Sequence, residues 1–123
     1  MKLRLLDDSI RLRLSRSEVI AADEGGVVEG HTRFPDGSVF TFALEGRKGD
    51  SQASAAYAHE RMVVSLPAAE IAAWANDDTA VSLHGELDLP AGGPLKLLVE
   101  KDFRCLSPRD DEDQSDLFTN PVG

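Results

Sequence analysis

Residues 2–23 read KLRLLDDSIRLRLSRSEVIAAD, and they align without gaps with residues 54–75, which read SAAYAHERMVVSLPAAEIAAWA. The identities are few, but the apolar positions coincide, so that Ile10, for example, aligns with Met62. Self-similarity over this length predicts that each half of the chain forms one copy of the same structural unit. Two further pairs of segments continue the alignment after short insertions: residues 28–34 with 81–87, and residues 40–45 with 95–100.

Each half of the chain has the pattern strand, strand, helix, strand, strand. In SIRLRL at residues 9–14, apolar residues alternate with arginines, and this period of two is typical of a half-buried strand. Ser15, followed three residues later by Glu18, is a capping-box pattern, which predicts a helix over residues 15–24. Pro67 is suited to the first turn of the corresponding helix in the second half, PAAEIAAWAND.

Strands joined by tight turns pair as antiparallel neighbours, with one face on the core and the other in solvent. We therefore expect an α+β protein with a mainly antiparallel sheet or barrel, built from two pseudo-twofold ββαββ repeats with two short helices and about ten short strands. The order of elements is also compatible with the paired architecture of the glyoxalase-like superfamily, by analogy alone. The pairing between strands of different halves stays open, because neither the turns nor the alternation specify it.

The chain of 123 residues is long enough for one domain with a core of its own. We expect a single domain over residues 1–106, composed of repeats 1–48 and 50–106. An acidic C-terminal tail over residues 107–123 follows, and it has no counterpart in the first half of the chain.

The tail combines a run of carboxylates with apolar residues near its end. A solvated tail has little use for Leu117 and Phe118, so we expect both to pack on the body of the protein. The segment 110–116 would then span the gap beside Arg11 and Arg13. The acidic run lacks the EF-hand pattern, and we predict no calcium site there.

The formal net charge of −9 argues against duplex nucleic acid as a partner, since such binding relies on Lys and Arg. The charge is uneven, because residues 1–20 hold five Lys and Arg against three acidic residues, whereas residues 106–123 hold one Arg against five acidic residues. No apolar run approaches the roughly 20 residues that cross a bilayer, and the single cysteine cannot form an internal disulfide. We therefore expect a cytoplasmic protein without membrane partners.

Catalytic and metal-binding patterns are weak in this sequence. It has no G-x-S-x-G motif and no H-x-x-x-H or H-E-x-x-H spacing, and we expect Cys105 to pack as a small apolar side chain. His31 and His84 align between the halves, so a pseudo-twofold axis would bring them together, with Glu86 on the same predicted face as His84. We predict no metal and no cofactor, and we expect both histidines to stand on the solvated faces of strands.

Four basic residues lie on the polar face of the first two predicted strands, and their counterparts in the second half are uncharged. The architecture therefore does not require these charges. Like charges on neighbouring strands are destabilising unless an anion lies among them, which leaves an external phosphate or carboxylate, the acidic tail, or solvent and scattered carboxylates as partners. The four residues are Lys2, Arg4, Arg11 and Arg13, and their counterparts are Ser54, Ala56, Val63 and Ser65.

Four stretches of the chain match the motifs of a known protein family. They are SIRLRLSRSEV at residues 9–19, AAWAND at residues 72–77, LVEKDFRCLSPR at residues 98–109 and DLFTNP at residues 116–121. They resemble a family of small uncharacterised bacterial proteins that is classed as a domain of unknown function. The resemblance covers nearly the whole chain and implies one small bacterial domain. It supplies no activity, cofactor or catalytic residue.

We expect a small non-catalytic cytosolic binding or accessory protein, a monomer or homodimer, whose basic hairpin face binds an anionic ligand or an acidic segment of a protein partner. One alternative is a small enzyme with its site in a barrel mouth, and another is a structural homodimer formed through an exposed edge strand. The candidate ligand-binding residues are Arg4, Arg11, Arg13, His31, His84 and Glu86.

Overall fold

The computed structural model describes residues 1–49 and 52–103, together with Phe118. Each half of the described chain forms the ββαββ unit that the alternation predicted. Eight strands are present in these ranges, fewer than the ten expected, because the connections between the elements form no further strand. The elements are β1 Lys2–Leu5, β2 Ser9–Leu14, α1 Arg16–Asp23, β3 Val28–Arg33, β4 Val39–Arg47, β5 Ser54–Ala58, β6 Arg61–Pro67, α2 Ala68–Ala75, β7 Ser82–Asp88 and β8 Pro94–Lys101.

The strands form two four-stranded sheets, and each sheet takes one hairpin from each half of the chain. The first sheet has the order β1-β2-β8-β7, and the second sheet has the order β3-β4-β6-β5. The hairpins are antiparallel, as their short turns require, but the two central pairs, β2 with β8 and β4 with β6, are parallel. The halves are therefore interlocked, and neither half contains a complete sheet.

The duplication is visible in the strand register. The helices begin at Arg16 and Ala68 and have eight residues each, so the first part of the unit repeats after 52 positions. In the parallel pairs, Ile10 lies opposite Leu97, and its counterpart Met62 lies opposite Phe42. Phe42 and Leu97 are therefore equivalent, and the last strand of the unit repeats after 55 positions.

The same register corrects the alignment of the histidines. Gly30 lies opposite Phe42 and Gly85 lies opposite Leu97, so β3 and β7 are also related by 55 positions. His31 is consequently equivalent to Glu86, and the predicted equivalence of His31 with His84 is wrong. At Gly30, an added Cβ atom would lie 2.4 Å from Cζ of Phe42, so any larger residue there would have to displace the ring.

One hydrophobic core joins the inner faces of both sheets with one face of each helix. Leu12 and Leu14 on β2 are fully buried, and so is Leu44 on β4. Trp74 of α2 is also buried, and its indole N–H donates to the carbonyl oxygen of Val81 at 3.0 Å, which satisfies the single polar group of that ring.

The two helices pack against each other, and each contributes buried residues to the core. The backbone N–H of Ser15 donates to Oε1 of Glu18 at 2.9 Å, so the predicted capping box begins α1. The side-chain amide of Asn76 donates to Oδ2 of Asp23 at 3.1 Å and thereby links the C-terminal ends of both helices. No helix in the described ranges is long and apolar enough to cross a bilayer.

Candidate functional site

The outward face of the first sheet carries most of the candidate residues. The register places Arg4 on β1, Arg11 on β2, Leu98 on β8 and His84 on β7 side by side in one row across the sheet. Because side chains two residues apart share a face of a strand, the neighbouring rows point outward as well. These rows contain Lys2, Arg13, Glu100 and Ser82 on one side, and Ser9, Lys96 and Glu86 on the other.

A groove with a volume of about 330 Å³ lies over this face. Four of the six predicted ligand-binding residues line it, and Lys96 joins them from the neighbouring row. Lys96 was missed by sequence reasoning because it approaches the basic hairpin only through the parallel pairing of β2 with β8. The four predicted residues are Arg4, Arg11, His84 and Glu86.

A buried carboxylate fixes the position of Arg11. Nε and Nη2 of Arg11 both lie 2.5 Å from Oε1 of Glu100, and Nε of Arg13 donates to the same oxygen at 2.8 Å. Glu100 is only 8% exposed. Burial by itself would raise the pKa of Glu100, but the hydrogen bonds and positive charges of Arg13 and Arg11 lower that pKa below its usual value. Glu100 is therefore ionised near neutral pH and holds both guanidinium groups.

Arg4 and Lys96 differ from Arg11, because neither has a carboxylate partner within the described ranges. Both side chains are exposed, and among the residues that the structure describes they make no ion pair and no side-chain hydrogen bond. Lys96 lies opposite Glu86 in the strand register without forming an ion pair to it. The groove thus presents two available cations beside one that is already oriented.

The remaining candidates lie outside the groove. Arg13 lines a smaller adjoining hollow of about 150 Å³ together with Lys2 and Arg4. His31 lies on the outward face of the second sheet, in a different hollow that also contains Glu29. The structure therefore does not bring His31 and His84 together, and the alternative site that combined the two histidines is wrong.

The second sheet provides an internal comparison for the groove. Its row equivalent to the one that contains Arg4 and Arg11 consists of Ala56, Val63, Ala43 and Glu29. In the next row, Oγ of Ser65 donates to Oε1 of Glu45 at 2.7 Å, where the first sheet has Arg13 and Glu100. The same backbone arrangement thus forms without the arginines, as the alignment of the two hairpins predicted.

Phe118 lies against the end of the first sheet. Its backbone N–H donates to the carbonyl oxygen of Asp102 at 2.9 Å, and its ring centroid lies 5.6 Å from that of Phe103. The cationic groups of Arg16 and Lys101 lie 5.9 and 5.5 Å from the Phe118 ring. The other residues predicted for the tail and its contacts, Leu117 and the segment 110–116, lie outside the described residues, as does Cys105.

The groove favours binding of an anion over metal chemistry. Arginine forks suit carboxylate and phosphate oxygens, whereas a metal site needs several deprotonated ligands close together. No group of three or more His, Cys, Asp or Glu residues with a geometry suited to a metal ion occurs among the residues that the structure describes.

A family model described as a family of unknown function, DUF7009, matches residues 1–122. The match confirms the resemblance that the motifs at both ends of the chain indicated. No curated protein matches the chain, and no solved structure matches it.

Proposed function

Since the chain belongs to this family of unknown function, we propose from its groove that it is a non-catalytic cytoplasmic protein that binds an anionic small molecule. The observation that carries the proposal is a pair of exposed cations, Arg4 and Lys96, which form no ion pair with any residue in the described part of the chain and lie beside Arg11 in one concave surface. The formal net charge of the chain is −9, so the protein as a whole repels anions, and the groove differs from it by its local excess of cations.

Among the residues that the structure describes, the arrangement of the cations is unfavourable without a further anion. Arg4 lies directly opposite Arg11 in the antiparallel pair of β1 and β2, where like charges destabilise a sheet. Glu100 pairs with Arg11 but shares its single charge with Arg13, and the equivalent positions in the second sheet carry Ala56 and Val63 without any charge. A bound carboxylate or phosphate would supply the missing counter-charge and accept hydrogen bonds from Arg4 and Lys96.

Titration of the labelled full-length chain with acetate and inorganic phosphate, followed by NMR, tests this proposal. We expect shift changes at β1, β2 and β8 and an affinity that falls as the ionic strength rises. Arg4→Gln should weaken binding about threefold to tenfold, since one charged contact is lost. Arg33→Gln on the second sheet removes the same charge outside the groove and serves as the matched control.

Two results would overturn the proposal. One is an absence of shift changes along the groove at millimolar anion. The other is an equal effect of Arg4→Gln and Arg33→Gln, because a general change in net charge would then account for the binding.

One observation favours a catalytic alternative: His84 and Glu86 line the same groove as Arg11. In an enzyme, His84 would exchange a proton with the bound ligand as a general acid or base. Incubation with candidate ligands, followed by mass spectrometry, would test this, and a wild-type chain that leaves every bound ligand chemically unchanged would remove the alternative.

A further inference from the structure

The floor of the groove is apolar. In β8, Leu97 and Val99 point into the core and are buried, whereas Leu98 points outward between Arg11 and His84 and is half-buried. Leu6, which follows β1, also lines the groove and is 57% exposed. The cations of the groove thus surround a hydrocarbon surface that water reaches.

The duplicated fold does not need a large side chain at this position. The residue equivalent to Leu98 is Ala43, which lies at the same place on the second sheet and is fully buried. An alanine therefore suffices to complete the row in one half of the molecule. In the other half, the larger side chain of Leu98 lies beside the cations of the groove, whereas the equivalent row of the second sheet holds the smaller apolar residues Ala56, Val63 and Ala43 and no cation.

We propose, resting on the proposed anion-binding function, that the groove binds an organic carboxylate with an apolar body. The carboxylate lies among Arg4, Arg11 and Lys96, and the hydrocarbon part covers Leu98 and Leu6. Exposed cations alone give a hydrated inorganic anion only a screened attraction, whereas an apolar body removes additional hydrocarbon surface from water. The volume of about 330 Å³ falls at the lower end of the range for small-molecule sites.

A series of linear carboxylates separates the contribution of the charged group to the affinity from the contribution of the hydrocarbon chain. We would titrate acetate, butanoate, hexanoate and octanoate, all below micelle-forming concentrations and at constant ionic strength, and compare them with inorganic phosphate. Affinity should rise roughly two- to fourfold per methylene until the chain extends beyond the floor. Octanoate should bind more tightly than phosphate.

Two variants test where the apolar part lies. Leu98→Ala, which installs the residue found at position 43, should lower the affinity for octanoate about tenfold and flatten the dependence on chain length. Val63→Ala truncates an apolar residue on the corresponding face of the second sheet and should leave that dependence in place. Arg4→Gln should weaken all four acids by a similar factor.

The outcomes distinguish this inference from the proposed function. Binding of acetate and phosphate with no gain from chain length would overturn the apolar-body inference and leave anion binding intact. A chain-length dependence that persists in Leu98→Ala would also overturn it, because the hydrocarbon would then bind elsewhere. No binding of any anion to the wild-type chain would overturn the proposed function itself. Binding to vesicles of anionic lipid without binding of the free acids would assign the surface to a membrane and reject a soluble ligand.

Discussion

Replacing Glu100 by glutamine tests whether its negative charge stabilises the two arginines beside the groove. The change keeps the shape of the side chain but removes the charge that two arginines share. Breaking a buried ion pair costs about 3–5 kcal/mol, and a hydrogen bond to a charged group contributes about 1.5–3 kcal/mol. The side chains of Arg11 and Arg13 are 30% and 43% exposed, so water compensates part of the loss. We therefore expect the free energy of unfolding to fall by about 2 kcal/mol, or the Tm by about 8 °C.

The duplication supplies the matched control for this measurement. Glu45 is the equivalent of Glu100, but its side chain is 32% exposed and it interacts with Ser65 and Arg47 at distances of 2.7 and 3.4 Å. Glu45→Gln should lower the free energy of unfolding by less than about 1 kcal/mol. Urea unfolding followed by the fluorescence of Trp74, the one tryptophan of the chain, measures both variants. Equal losses in the two variants would refute the assignment of Glu100 as the fixed centre of the arginine cluster.

Three further predictions concern pH, packing and the tail. The Arg13 and Arg11 contacts hold the pKa of Glu100 in the folded protein below the usual value for a glutamate, which is about 4.3. The ionised carboxylate therefore stabilises the folded state above that usual pKa, and this stabilisation is lost as the pH falls through the lower pKa of the folded protein. The free energy of unfolding of the wild type should thus decrease more steeply in this acidic range than that of Glu100→Gln. Gly30→Ala places a methyl group against the Phe42 ring and should lower the free energy of unfolding by about 1–3 kcal/mol, whereas Gly85→Ala, whose nearest neighbour lies at 3.5 Å, should change it by less than about 1 kcal/mol; equal effects would contradict the packing argument. Phe118→Ala should lower the Tm by a few degrees through the loss of its contacts with Phe103 and two cations, and an unchanged Tm would show that this contact does not contribute to stability.

The helices and strands of this fold can be predicted from the sequence much better than the pairing between strands of different halves. The gap-free alignment of the two hairpin–helix segments correctly placed both helices, because alternation, capping and turns are local properties. The parallel pairing of β2 with β8 depends on core packing between distant segments, and no local pattern encodes it. Lys96 was therefore not predicted as a site residue, since it joins the groove only through that pairing.

The wrong equivalence of His31 with His84 has a related cause. Aligning His31 with His84 shifts β3 by two residues relative to its true counterpart β7. A shift of two residues keeps every side chain on the same face of the strand, so the alternation of apolar and polar residues does not detect it. The glycines at positions 30 and 85 mark the correct register, and their significance becomes clear only when the Phe42 ring is seen against Gly30.

The interlocking of the halves also sets an order of assembly. In the second sheet, the parallel pair joins Thr41 to Arg61, which are 20 residues apart, whereas in the first sheet it joins Ser9 to Lys96, which are 87 residues apart. Closing the longer loop costs about 1.3 kcal/mol more in chain entropy, and it has to wait for β8 to emerge from the ribosome. We expect the second sheet to form early and the groove to be the last part of the molecule completed, so that a nascent or C-terminally truncated chain has its basic hairpin exposed without the carboxylate of Glu100.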